Sequence, residues 1–284
     1  MKKEIKRTNE KKSEASDQKT KASPDRLEGK NAIMEAIRAG RPIHKLWVAK
    51  RDGKIDPGLQ QLVAAARQSG ATILPVDRQV LDRISETRAH QGVIAQVAAH
   101  AYADLDTLVQ SVKAGGQNLF LFVLDEIQDS YNLGSILRVA DAAGVQGVVI
   151  SKRRSVGLDA AVAKASTGAI EYVPVCRVSN ISQAIDQLKK EGAWIVGTDA
   201  EACLPYDQAD LTGDLVILIG GEDKGLSPHL LKQCDFLVKI PMRGHVPSLN
   251  AAVAAGVIAF EAARQRQAQA VNKEVRAFER DQTE

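Results

Sequence analysis

Three short segments of this 284-residue chain carry polar residues at spacings that could do chemistry. Asn132-Leu133-Gly134 is followed by Arg138, Gly220-Gly221-Glu222-Asp223-Lys224-Gly225 forms a glycine-rich turn, and residues 240–250 end in Ser248-Leu249-Asn250. Adjacent glycines let backbone approach a ligand closely, because no Cβ stands in the way. Asn132 is placed to cap a new helix, and Arg138 lies about one and a half turns further on. An arginine there can hold an anion, since a guanidinium stays protonated at every ordinary pH. Taken singly, each segment also has a plainer reading. The first is a helix cap with a solvated helix face, the second a tight strand-to-helix turn, and the third a cap before a core helix. What they share is position, because each directly follows an apolar run.

Other chemistries are excluded by what is missing. The chain has no G-x-x-x-x-G-K-[ST] phosphate loop, no G-x-G-x-x-G dinucleotide fingerprint and no G-x-S-x-G nucleophile elbow. His44, His90, His100, His229 and His245 show no paired metal spacing, so no metal site is expected. Cys176, Cys203 and Cys234 stand far apart without a C-x-x-C pair, which fits a reducing, cytoplasmic setting rather than a disulfide framework.

The elements that must position these segments are legible from periodicity. Residues 119–124 are a continuous apolar run of the kind found in a buried parallel strand. Further strands are expected at 147–150, 172–175, 194–196, 215–219 and 236–240, with helices at 133–143, 181–191, 227–234 and 249–266. Strand and helix alternate, so the larger C-terminal unit is expected to be α/β with a mainly parallel sheet, and ligands then sit beyond the carboxyl ends of its strands. A smaller N-terminal α/β unit precedes it. There a short helix ends near Gly40, strands are expected at 46–49, 71–76 and 92–97, and helical stripes lie at 59–66 and 80–84. The boundaries expected are a tail over 1–26, the small unit over 27–98, a connector over 99–118 and the large unit over 119–284. The helix after Ser248 carries no charge up to Phe260, as expected of a face buried on more than one side, such as a dimer interface.

Composition agrees with packed domains: 44% of residues are hydrophobic and 26% charged. No run of about 18 apolar residues exists to span a membrane, and no apolar core follows Met1-Lys2-Lys3-Glu4 to make a secretory signal. The net charge of +3 divides unevenly, as residues 1–26 sum to +4 and the remainder to −1. The tail, almost without aliphatic side chains, is expected to be disordered, either a solubilising segment or an electrostatic arm for phosphates. In the small unit Arg41, Lys45, Lys50, Arg51, Lys54, Arg78, Arg83 and Arg88 are candidate phosphate contacts. Trp47 is the lone aromatic there, which favours recognition by shape and backbone.

Together, N-x-G-x-x-x-R, G-G-E-x-x-G and I-P-M-…-S-L-N, in that order after three strands, resemble the SpoU (TrmH) family of RNA 2′-O-ribose methyltransferases, within the SPOUT superfamily. Gly29-Lys30-Asn31-Ala32-Ile33 and His90-Gln91-Gly92-Val93-Ile94-Ala95 resemble that family's N-terminal substrate-binding domain, similar to ribosomal protein L30e. The likeness runs over about residues 27–266 and is nearest to 23S rRNA guanosine-2′-O-methyltransferases. It implies a C-terminal trefoil-knotted domain, a homodimer, S-adenosylmethionine as methyl donor and 23S rRNA as partner. The resemblance further implies a cofactor pocket of Gly197, Thr198, Gly220, Gly221, Ile240, Met242, Ser248 and Leu249. Arg138, Asn132, Glu222, Ser248 and Asn250 become the catalytic set. As an always-charged group, Arg138 is better suited to holding a phosphate and stabilising a developing alkoxide than to acting as a base. The chain departs from the family at Ser130-Tyr131, where a proline is common, and at Ala251-Ala252. The rivals are the same chemistry on tRNA, whose enzymes commonly lack the N-terminal domain, and a non-catalytic RNA-binding or ribosome-assembly factor.

Overall fold

The computed structural model describes residues 26–281 except 52 and 223, with side chains described to 271. The expected tail therefore lies outside the described residues up to position 25, and its last residue does not belong to a tail. Arg26 opens strand β1 (Arg26–Glu28), which pairs antiparallel with β5 (Val93–Val97). The small unit adds β2 (Ile43–Arg51), β3 (Lys54–Ile55) and β4 (Thr72–Asp77), with β4 parallel to β2 and the other pairs antiparallel. Helices α1 (Lys30–Arg38), α2 (Gln60–Gln68) and α3 (Arg78–Ile84) pack against this sheet. The two resembling segments meet here. Lys30 N donates to Gln91 Oε1 at 3.1 Å, and Gly29, at φ +95°, donates its N–H to Val93 O. Only a glycine adopts that backbone without strain.

Residues 99–118, the expected connector, are structured and packed. They hold α4 (Leu105–Ala114), capped by Asp104, with Leu105, Val109 and Val112 buried against Leu119, Leu121 and Val123 of the large unit. Ala103 even bridges in parallel to Cys176, extending the large sheet by one residue pair.

The large sheet contains β6 (Phe120–Asp125), β7 (Gly147–Ser151), β8 (Val175–Val178), β9 (Trp194–Thr198), β10 (Leu204–Pro205), β11 (Leu215–Gly220) and β12 (Phe236–Lys239). Their spatial order is β10-β12-β9-β11-β6-β7-β8, and every pairing is parallel. Both central strands, β6 and β11, are buried along their whole length, as their apolar runs required. Helices α5 (Ser130–Ala143), α6 (Ala160–Ala165) and the long α9 (Ala251–Asp281) cover one face, while α4 and α7 (Ile181–Lys190) cover the other. Helix α8 is only Pro228–Leu231, shorter than the 227–234 expected. No described helix is long and apolar enough to cross a membrane.

The expected strand over 172–175 starts three residues later. Residues 169–171 form a 3₁₀ turn, and Pro174, lacking an N–H, cannot donate to a ladder, so β8 begins after it. The turn serves the contact between the units. Glu171 accepts from Arg41 Nη1 at 3.0 Å and faces His100 Nε2 at 3.2 Å, all three side chains being largely buried. Arg41 also donates to the Ala98 carbonyl through Nε at 2.8 Å. Arg41 is thus an inter-unit tie and not a phosphate contact.

Candidate active site

The parallel order brings the carboxyl ends of β6, β9, β11 and β12 side by side, and the three motif segments leave from three of these ends. At the first, α5 is capped by Asp129, whose carboxylate accepts from Asn132 N at 2.9 Å. Asn132 is therefore not the cap but the third helical residue, and its side chain is released for another partner. Asn250 supplies it: its Nδ2 donates to Asn132 Oδ1 at 2.8 Å and also to Glu222 Oε1. The other end of the Asn250 amide caps α9, with Oδ1 accepting from Ala252 N at 3.0 Å and Val253 N at 3.3 Å. One residue from each motif thus meets in a single polar cluster.

On one side of the cluster lies a cavity of about 720 Å³. Thr198, Gly220, Gly221, Ile240, Met242, Ser248 and Leu249 all line it, as does Glu222. Gly197 does not. It lies inside β9, where a Cβ would come within 2.6 Å of Cys234 Sγ and Leu237 Cδ2, so its lack of a side chain serves packing. Residues missed by sequence reasoning include Leu226, Leu231, Ala254 and Ile258, which complete the apolar wall. A signal existed for Ala254 and Ile258, which fall at i and i+4 on a helix face directly after Asn250. Gly220 adopts an ordinary extended backbone, yet a Cβ there would strike the backbone of Gly225 and Leu226. The turn is closed by Gly225 N donating to Gly221 O at 2.9 Å, and Ser227 N donates to the buried Asp125 carboxylate at 3.0 Å.

On the other side Arg138 and Asn250 share a second cavity of about 700 Å³ with Ser135, Thr167, Tyr172 and Glu35 of the small unit. Arg138 is exposed, and among the described residues no carboxylate pairs with it. Its guanidinium is available to an incoming anion. Val253 and Phe260, each 52% exposed, complete this wall with Gly256 between them. Gly134, one turn before Arg138, allows α6 to press against α5, since a Cβ would lie 2.9 Å from Ser166 N. Among the described residues no group of His, Cys, Asp and Glu could hold a metal.

An apolar-walled cavity with exposed backbone at a glycine turn suits a purine nucleoside, and the neighbouring polar cluster with a free arginine suits a phosphorylated substrate. Comparison with known proteins agrees. Residues 119–260 match the SpoU rRNA methylase family, and residues 26–103 match the RNA 2′-O ribose methyltransferase substrate-binding family. A TrmH family tRNA/rRNA methyltransferase of Bacillus subtilis, YacO, is 46% identical over 242 residues, spanning 85% of this chain and 96% of its own. One from Staphylococcus haemolyticus is 43% identical, spanning 84% and 94%. Among solved structures, the SpoU methyltransferase AviRb of Streptomyces viridochromogenes, in complex with AdoMet, superposes with a TM-score of 0.71 at 28% identity, over 84% of this chain and 89% of that one. The AdoMet-bound rRNA methyltransferase of Sinorhizobium meliloti does so at 0.67 and 26%, over 84% and 87%. With both of its units matched and a relative this similar end to end, the chain belongs to the SpoU (TrmH) methylase family.

Proposed function

We propose that this protein transfers a methyl group from S-adenosylmethionine to the 2′-hydroxyl of a ribose, a guanosine in 23S rRNA. The observation that carries this reading is the Asn250 amide, which joins residues of all three motifs between a nucleoside-sized cavity and a cavity holding a free arginine. The residues present fit the cofactor: Ile240, Met242 and Leu249 offer apolar walls to an adenine, and Gly220 and Gly221 offer unobstructed backbone. When bound, S-adenosylmethionine would supply an electrophilic sulfonium methyl: the ribose oxygen would bond to it as the S–CH3 bond breaks, leaving a neutral thioether, with the hydroxyl proton passing to solvent.

The chain's own residues then have positioning and electrostatic work. Arg138 holds the phosphate beside the target ribose and stabilises negative charge developing on the 2′-oxygen. Asn132, Glu222, Ser248 and Asn250 fix the nucleotide against the cofactor pocket, which lowers the entropic part of the barrier. A trefoil knot among the loops after β9, β11 and β12 belongs to this reading, supported by their convergence on one cavity and by the tight passage at Gly220. So does a homodimer, supported by the exposed Val253 and Phe260 stripe of α9 beside Arg138. The protein then works in the cytoplasm, and its N-terminal tail adds modest electrostatic affinity for RNA.

The 23S rRNA substrate is favoured by the N-terminal unit, whose match is to a substrate-binding family. The experiment is to map ribose methylation on rRNA and tRNA from cells with and without the protein. Loss of one 2′-O-methylguanosine from 23S rRNA is expected. Loss from tRNA alone would move the substrate, and failure of the folded protein to bind S-adenosylmethionine in calorimetry would remove the enzyme reading.

A further inference from the structure

The loop that leaves Ser151, the last residue of β7, reads Lys152-Arg153-Arg154-Ser155, three consecutive cations in a unit, residues 119–284, whose net charge is −4. Its backbone is held at several points. Lys152 N donates to Val178 O at 2.8 Å, Val156 N to Ile127 O at 3.0 Å, and Leu158 N to the Tyr102 hydroxyl at 3.1 Å. Ser151 Oγ lies 2.8 Å from Ser155 Oγ. A loop fixed this way loses little further entropy when it binds.

The fixation also places it. The Val156 bond and an Arg154–Glu126 ion pair of 2.8 Å tie the loop to the segment between β6 and α5. The Glu126 carbonyl in turn lies 3.1 Å from where a Cβ of Gly221 would stand, so the Arg154 end of the loop is tied to the segment that borders the glycine turn of the active site. Arg154 is neutralised by Glu126. Lys152 and Arg153 are exposed, and among the described residues neither side chain has a partner.

A second feature follows the carboxyl end of β6, the strand that pairs in parallel with β7. Tyr131, in the first turn of α5, is 65% exposed, the most exposed aromatic among the described residues, and directly precedes Asn132. Tyr131, Ser135 and Arg138 stand at i, i+4 and i+7, which puts an aromatic ring and a free guanidinium on one helix face. An exposed ring costs hydrophobic free energy and here supports no core.

We propose that Lys152, Arg153 and Tyr131 form a track for the RNA strand that flanks the target nucleotide. Lys152 and Arg153 take two backbone phosphates, and Tyr131 stacks on an unpaired base next to the methylated ribose. The proposal rests on the RNA methyltransferase reading above and adds to it where the strand runs and that it is single-stranded there. Stacking needs an unpaired base, and an aromatic ring accepts any base.

The test uses the full chain, a 12-nucleotide single-stranded RNA followed by fluorescence anisotropy over a potassium chloride series (about 50–200 mM), and S-adenosylmethionine titrated by calorimetry. For Lys152→Ala/Arg153→Ala, the slope of log affinity against log salt should become shallower by about 1.4, that is about 0.7 for each phosphate no longer neutralised. Tyr131→Ala should weaken RNA binding by roughly 5-fold to 100-fold at every salt concentration with the slope unchanged, and Tyr131→Phe should bind as wild type. Cofactor affinity should not change in any variant. An unchanged slope in the double variant, or equal affinity of the wild type for a polyglutamate peptide, overturns the track. If the wild type binds S-adenosylmethionine and RNA but the variants bind RNA equally well, the track fails and the enzyme reading stands. If the wild type binds neither, both fail.

Discussion

Asn250 donates its side-chain amide to Asn132 across 118 residues of sequence, at 2.8 Å, while the same side chain caps α9 through its oxygen. The two ends of one amide therefore do different work, and substitutions can separate them. Asn250→Asp keeps the cap oxygen but loses the donor and sets a second carboxylate beside Glu222. It should leave thermal stability within about 1 kcal/mol of wild type while lowering methyl transfer by at least about 10-fold, the loss of one to two hydrogen bonds. Asn250→Ala should lose both functions. Differential scanning calorimetry with a tritiated-methyl assay checks this; full activity in Asn250→Asp would show that the bond to Asn132 is incidental.

Gly220 offers a test of the cofactor cavity that spares every polar group. Its missing Cβ is filled by the backbone of Gly225 and Leu226, which cannot swing aside as a flexible side chain would. Gly220→Ala must push the Gly221–Gly225 turn outward, and with it Glu222 and the cavity wall. Affinity for S-adenosylmethionine in calorimetry should fall by at least about 10-fold, at a stability cost of about 1–3 kcal/mol. By contrast, Gly244→Ala, with nothing within 4 Å of its Cβ and no strained φ, should be close to neutral.

These relationships mark how far the sequence could be read. The buried strands β6 and β11 were visible as unbroken apolar runs, and their motifs had to follow them at the carboxyl ends. The sequence pattern pointed to Asn132 as the cap of α5, whereas the helix begins three residues earlier under the Asp129 carboxylate. The side chain of Asn132 instead meets Asn250, a contact invisible to any local window. Helix α4 lies in the stretch expected as a connector, although apolar residues at 105, 108, 109 and 112 and the Asp104 cap mark a helix there. Arg41 resembled any surface cation in sequence, and only the docking of Glu171 from the other unit made it a buried ion-pair partner.

That ion pair makes a prediction about pH. Burial alone would raise the Glu171 pKa, but the hydrogen bond and charge of His100, together with Arg41, overcome it and hold the carboxyl below its ordinary 4.5. A carboxylate depressed in the folded state adds stability that is complete above about 4.5 and is lost as pH falls through the folded value. Urea midpoints should therefore drop between about pH 5 and pH 3 more steeply for wild type than for Glu171→Gln. At neutral pH, Glu171→Ala should cost about 3–5 kcal/mol, because it removes the carboxylate that balances the charge of a buried guanidinium. Parallel acid profiles for wild type and Glu171→Gln would refute the assignment.

The three cysteines should separate cleanly by reactivity, because the thiolate is the nucleophile. Burial pushes Cys176 up to about 11 and Cys234 up to about 11, and Cys234 further donates to the Leu230 carbonyl at 3.3 Å. At about pH 8 either thiol is then ionised in about one molecule in a thousand, even before access is considered. Cys203 alone is exposed. A disulfide-exchange reagent should release one equivalent quickly from the native protein and all three in concentrated guanidinium. Cys203→Ser should abolish the fast phase. Because Cys234 packs against Gly197 within β9, its slow modification should track opening of the strand that leads to Thr198, and saturating S-adenosylmethionine should slow it further. A fast second equivalent unaffected by the cofactor would mean that this wall of the cavity is not closed in solution.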